Sequence, residues 1–108
     1  MPIYAVSVDI GPGDHRPVRS LYTRFHNEVR KGRRPGQVSV NGSFVLLHTP
    51  ETTVALMARI LNVTGFQAEY DRVSIIDMAA RRITSWGIRD ASLEANFPVI
   101  AFSYDNTT

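Results

Sequence analysis

The chain reads as an α+β protein, an antiparallel sheet with two helices on one face, and three observations predict it. The run from Ile3 to Ile10 is β-branched and almost continuously apolar, with Asp9 its one charge, and it stops at the breaker Gly11-Pro12-Gly13. A run of that kind suits a strand buried on both faces at the centre of a sheet. Two later stretches, one after Pro17 and one after Thr49, carry apolar residues at helical spacing. Between them, two strand-like runs flank Asn41-Gly42, a dipeptide that favours the tight turn of a hairpin.

The elements follow in order. Pro17 suits a first helical turn, where its missing N–H is not needed. Val18, Leu21, Tyr22, Phe25 and Val29 then form one apolar stripe, and Gly32 is placed to end the helix in a left-handed cap. Gln37–Val40 and Ser43–His48 are the hairpin strands, with Asn41-Gly42 as a type I′ turn. Thr49 caps a second helix, with Pro50 in its first turn and Val54, Met57, Ala58 and Leu61 as the buried stripe. Arg72–Met78 is a short strand. Ala79 to Arg89 reads as an irregular arm, Ala91 to Asn96 as a helical turn, and Phe97–Tyr104 as an additional C-terminal strand, which Pro98 confines to a sheet edge. Strand, helix, hairpin, helix, strand is the βαββαβ order of a ferredoxin-like sandwich with a four-stranded antiparallel sheet. The whole is one domain, with its core at 3–78 and an arm and strand at 79–108.

Composition narrows the function classes. The 108 residues are 44% hydrophobic and 20% charged, and a chain of this size buries roughly 65% of its unfolded surface, enough for one core without staples. The absence of cysteine excludes disulfides, zinc–thiolate sites and a cysteine nucleophile. The first residues lack a basic region followed by an apolar one, and no apolar run approaches the ~18 residues of a membrane span. The expectation is a cytoplasmic protein with no membrane partner.

Net charge is +2 but unevenly placed: residues 1–34 hold seven basic side chains against three acidic, and the remainder five against seven. Eleven of the twelve cations are arginine, whose planar fork suits phosphate. Arg16, Arg19, Arg30, Lys31, Arg33 and Arg34 are the candidate phosphate contacts, the alternative being a solvated helix face. Asp9 either begins its turn by bonding its own backbone or holds a cation. Since Mg²⁺ keeps water and phosphate oxygens among its ligands, one Asp per subunit is enough only if two copies meet across a two-fold axis. Asp14 and His15 on the following loop either add a ligand or a general base or are solvated turn residues, and His26 and His48 lack sequence-near partners at metal-ligand spacing. Gly11-Pro12-Gly13 lacks the third glycine of a dinucleotide loop, and no serine lies in a nucleophile elbow. Tyr4 and Phe44 occupy the base-stacking strands of an RNA-recognition module, but the basic-Gly-aromatic opening is missing.

The first strand ending in Asp9, the short basic helix, the Ser43-Phe44-Val45-Leu46-Leu47 strand, the helix after Thr49, the Asp71-Arg72-Val73-Ser74-Ile75-Ile76 strand and Trp86-Gly87 together resemble the small CRISPR-associated spacer-acquisition protein family and its SinR-like relatives. The resemblance spans about Ile3 to Ile88. It implies a ferredoxin-like homodimer and, for some members, metal-dependent nuclease activity in which the aspartate ending the first strand of each subunit shares Mg²⁺. Only Asp9 carries over in that role, while Arg16 and Arg19 fall where relatives bear basic residues. Two functions are therefore expected in competition: a dimeric Mg²⁺-dependent nuclease acting on DNA or RNA, with Asp9 as catalytic residue and metal ligand, or a non-catalytic dimeric scaffold whose basic surface binds nucleic acid or a protein partner.

Overall fold

A computed structural model describes residues 2–13 and 15–88, together with the backbone of 101–105. In chain order the elements are β1 (Ile3–Ile10), α1 (Val18–Arg30), β2 (Val38–Asn41), β3 (Phe44–His48), α2 (Thr53–Thr64), β4 (Asp71–Asp77), β5 (Arg82–Gly87) and β6 (Ala101–Asp105). They build one sheet in the order β2-β3-β1-β4-β5-β6. The first five strands of that order pair antiparallel, and β6 joins β5 in parallel.

The apolar run of β1 takes the interior place expected of it, between β3 and β4. Successive side chains alternate between faces. Tyr4, Val6, Val8 and Ile10 join Val45, Leu47, Val73, Ile75 and Trp86 on the face that α1 and α2 cover, where Leu21, Phe25, Val29, Leu56, Met57 and Ile60 complete one core. The opposite face carries Ile3, Phe44 and Leu46, each more than 40% exposed, and, at the far end of β1, Asp9. The stripe expected of α1 packs as read, with Leu21, Phe25 and Val29 buried. Pro17 stands at the N-cap rather than inside the first turn, and Gly32, with φ 73°, lies one residue past the Lys31 C-cap.

Three expectations are corrected. The sheet has more than four strands, because Arg82–Gly87, read as part of an irregular arm, is β5, paired with β4 from Arg72↔Gly87 to Asp77↔Arg82. Its Ser85 is fully buried in a position that sequence patterning reserves for apolar residues, and it hydrogen-bonds Ser74 across the ladder, Oγ to Oγ at 2.7 Å. That partner satisfies a hydroxyl that would otherwise be costly to bury. In the hairpin, Asn41 pairs with Phe44, so Gly42 and Ser43 form the turn. Only Gly42, φ 59°, takes positive φ there; glycine at the first central position is the signature of type II′ rather than I′. The pairing slides by two residues, placing Val38 opposite Leu47, and every side chain keeps its face. In α2 the cap is Thr52, whose side chain accepts from the Ala55 N–H, not Thr49. The buried stripe is Leu56, Met57, Ile60 and Thr64, and Val54 is 76% exposed. The helix is apolar nearly all round, so its periodicity does not select a face. The C-terminal strand lies at a sheet edge, as expected, over Ala101–Asp105 of its own chain's sheet; the rest of the expected strand, residues 97–100, and the helical turn at 91–96 lie outside the described residues.

Candidate nucleic-acid interface

Because β1 runs one way and α1 returns, the chain leaves α1 at the sheet end where β1 starts and β3 finishes. The connection from Lys31 to Gln37 is pinned there by its own backbone. Lys31 N donates to Glu28 O (3.2 Å), Arg33 N to Arg30 O (3.0 Å) and Gln37 N to Arg34 O (3.0 Å), and His48 N closes onto Gln37 O (2.7 Å). The Gln37 side chain accepts from Arg34 N at 2.8 Å. Gly36, at φ 90°, supplies a left-handed residue that the path needs. On this fixed path Arg30, Lys31 and Arg34 are exposed. Arg33 is half-buried: Nη1 reaches His48 O at 3.4 Å, and its buried Nε has no hydrogen-bond partner among the described residues.

The nearest carboxylates are already engaged. Arg59 on α2 donates Nε and Nη2 to the two oxygens of Glu51, each at 2.8 Å, and Nη1 to Glu28 O (2.6 Å) and Glu28 Oε1 (3.1 Å). Thr49 Oγ1 donates to Glu51 Oε1 at 2.9 Å, and Tyr4 Oη to Glu51 O at 2.6 Å. The Arg59 bonds, with help from Thr49 and against partial burial, hold the Glu51 carboxyl below its ordinary pKa; the same bonds raise that of Arg59. The guanidinium thus ties the end of α1 to the start of α2 and neutralises the acids beside the connection.

Asp9 lies at the other end of the sheet. It is exposed on the face away from the helices, with Arg72 opposite it in the β1–β4 ladder. The two residues line a recess of about 40 Å³ with Tyr70 and Ile88. As a Mg²⁺ site, one protomer does not fit: the recess offers a single carboxylate, and a guanidinium across the ladder competes with a dication for it. Among the described residues no group of three His, Cys, Asp or Glu side chains is placed to hold a metal.

Arg16, also at this end, has a different partner from the one its charge suggested. Its Nη1 and Nη2 each lie 2.7 Å from an oxygen of Asp71, Nη1 also donates to Gly11 O at 2.7 Å, and the guanidinium covers the Tyr70 ring at 4.9 Å. Asp71 is fully buried and additionally accepts from Gly11 N (3.0 Å) and Gln67 N (2.9 Å). Burial pushes this carboxyl up, but the Arg16 and backbone donors outweigh it, so its pKa sits below the ordinary carboxylate value. Asp71 pairs with Ile10 in the β1–β4 ladder, and the bidentate bond to Arg16 anchors the loop leaving β1. Arg19 is exposed on the first turn of α1, off the packed stripe.

The sheet therefore separates what the sequence grouped. Arg30, Lys31, Arg33 and Arg34 gather at one end, and Asp9, Arg16 and Arg19 at the other, about 20 Å away along β1 at ~3.3 Å per residue. Asp71 and Arg59, which fix both ends, carry no site role in the sequence reading; an aspartate opening a strand and an arginine on an otherwise apolar helix are their only marks. No helix among the described residues is long and apolar enough to cross a membrane. No protein-family model matches the chain, and neither the curated proteins nor the solved structures yield a match.

Proposed function

We propose that the protein is a homodimeric nucleic-acid-binding module on a ferredoxin-like unit, with Arg30, Lys31, Arg33 and Arg34 as its phosphate contacts. The strand order β2-β3-β1-β4, with a helix after β1 and another after β3, supports the ferredoxin-like reading. The observation that carries the function is the pinned connection, which holds three exposed cations at one sheet end while Arg59 occupies Glu28 and Glu51. Cations held on a fixed backbone lose less freedom when a phosphate arrives than the same cations on a mobile tail. The test is binding of a labelled duplex as a function of salt. Each lost phosphate contact reduces the slope of log K against log salt by about 0.9, so Arg30→Ala/Lys31→Ala/Arg34→Ala lowers it by roughly 2.7. A salt-independent affinity in the parent protein sinks the reading and points to a protein partner.

One observation favours a second reading, a Mg²⁺-dependent nuclease. Asp9 lies on the same face as the exposed Ile3, Phe44 and Leu46, so a dimer formed through those residues, with its two-fold axis along the strands, brings a second Asp9 alongside the first. That supplies the carboxylate one protomer lacks. Its test is cleavage of DNA or RNA that requires Mg²⁺ and is lost in Asp9→Asn; cleavage that survives the substitution rules Asp9 out.

A further inference from the structure

The sheet end that bears the basic connection also bears the β4–β5 turn. Strand β4 finishes, and β5 begins, at the end where β1 starts: Tyr4 pairs with Asp77, Asp77 with Arg82, and Met78 N donates to Ile3 O at 3.1 Å. This turn places Arg81 and Arg82 on that rim, both exposed. Arg81 N donates to Asp77 O at 2.9 Å, while Asp77 Oδ1 accepts from the N–H groups of Ala79 and Ala80 at 3.1 and 3.0 Å. The turn is thus as firmly set as the connection, and its own carboxylate is partly spent on holding it.

Arg81 has φ 55°. A left-handed residue closes this turn, and glycine or asparagine does so without the clash of a long L side chain. An arginine in such a position is an outlier from which a functional hypothesis is reasonably drawn. Across the rim, among the described residues, seven basic side chains (Arg30, Lys31, Arg33, Arg34, Arg59, Arg81 and Arg82) meet three carboxylates (Glu28, Glu51 and Asp77), all three carrying hydrogen bonds from within the fold. From β2 to β5 is four strand spacings, about 19 Å at ~4.8 Å each, a span of five or six phosphates of one duplex strand at 3.4 Å.

We infer that Arg81 and Arg82 form the second flank of a nucleic-acid contact that crosses the strand-end rim from the Arg30–Arg34 connection to the β4–β5 turn. This rests on the nucleic-acid reading above. The experiment uses the full chain and a fluorescein-labelled 20-base-pair DNA duplex, with anisotropy titrations over a range of salt. Arg81→Asn/Arg82→Gln keeps a side chain suited to the left-handed position and removes both charges. The expected result is a slope of log K against log salt smaller by about 1.8 and binding roughly 60-fold weaker at 0.1 M salt, following 0.9 logarithmic unit per contact. Arg81→Lys/Arg82→Lys, which keeps the charge, is expected to recover most of the affinity. An unchanged slope in the neutral variant, where the connection variant loses binding, overturns this inference alone. Absence of binding by the parent protein overturns it together with the reading it rests on.

Discussion

Asp71 is the residue on which most depends. Its carboxylate is fully buried and takes two bonds from Arg16 and one each from Gly11 N and Gln67 N. Asp71→Asn removes the charge and turns an amide N–H toward donors, and breaking a buried pair of this kind costs about 3 kcal/mol, read as a lower urea midpoint at pH 7. The pH dependence follows from the depressed pKa. A carboxyl lower in the folded than in the unfolded chain contributes stability above the unfolded value, about 3.9, and loses it as pH falls through the folded value. Parent stability therefore drops as pH falls from about 5 through the unfolded carboxylate value and below, and the variant shows a shallower dependence there; parallel curves contradict the assignment. Nothing in the local sequence announces this. Arg16 reads as one more cation of a basic segment because its partner is 55 positions away. Two glycines record the same close packing: a Cβ on Gly11 would collide with Tyr70 O and one on Gly87 with Asp71 O. From sequence they are only a breaker and the residue after a tryptophan.

At the scale of elements, legibility tracked how far each segment's own residues settle its fate. In β1 and α1 the apolar pattern and the breakers agree, and both lie where the pattern puts them. The hairpin was legible as a hairpin but not to the residue, since Asn41-Gly42 and Gly42-Ser43 both satisfy a two-residue turn and leave Val38 and Val40 on the core face. In α2, Val54, Ala55, Ala58 and Val63 look as apolar as Leu56, Met57 and Ile60. Only the packing against α1 and the sheet decides which are covered. Strand β5 was missed because its evidence is relational: Ser85 makes sense opposite Ser74, Trp86 opposite Val73, and Gly87 only where Asp71 O crowds it. The candidate site divides the same way. The connection's cations were read from sequence, whereas their neutralised acid neighbours and the rim they share with Arg81 and Arg82 depend on where distant strands end.

At the scale of the molecule, charge and apolar surface are laid out at right angles. Basic side chains collect on one rim of the sheet, and the face away from the helices offers Ile3, Phe44, Leu46 and Met78, each 42–52% exposed, beside a buried group of Ala5, Ser74, Ile83 and Ser85. On the dimer reading this face is the contact between copies, the self-complementary arrangement usual for a two-fold pair. Leu46→Asp places a charge amid that row while leaving the core behind it intact. Sedimentation velocity is expected to show a dimer for the parent and a monomer for the variant; a monomeric parent removes the paired-Asp9 reading with it.

The interior place of β1 also bears on how the protein is made. In chain order β1 precedes both its neighbours in the sheet: β3 begins at Phe44 and β4 at Asp71. At ~5–20 residues per second, the 67 residues between the end of β1 and the end of β4 take on the order of 3 to 13 s. Through that interval a β-branched run stands with at least one edge open, and α1 is the earliest element able to shelter it. An open apolar strand is a hazard for mispairing with other chains. Asp9, whatever else it does, puts a charge at the end of that strand during the seconds when it has no partner.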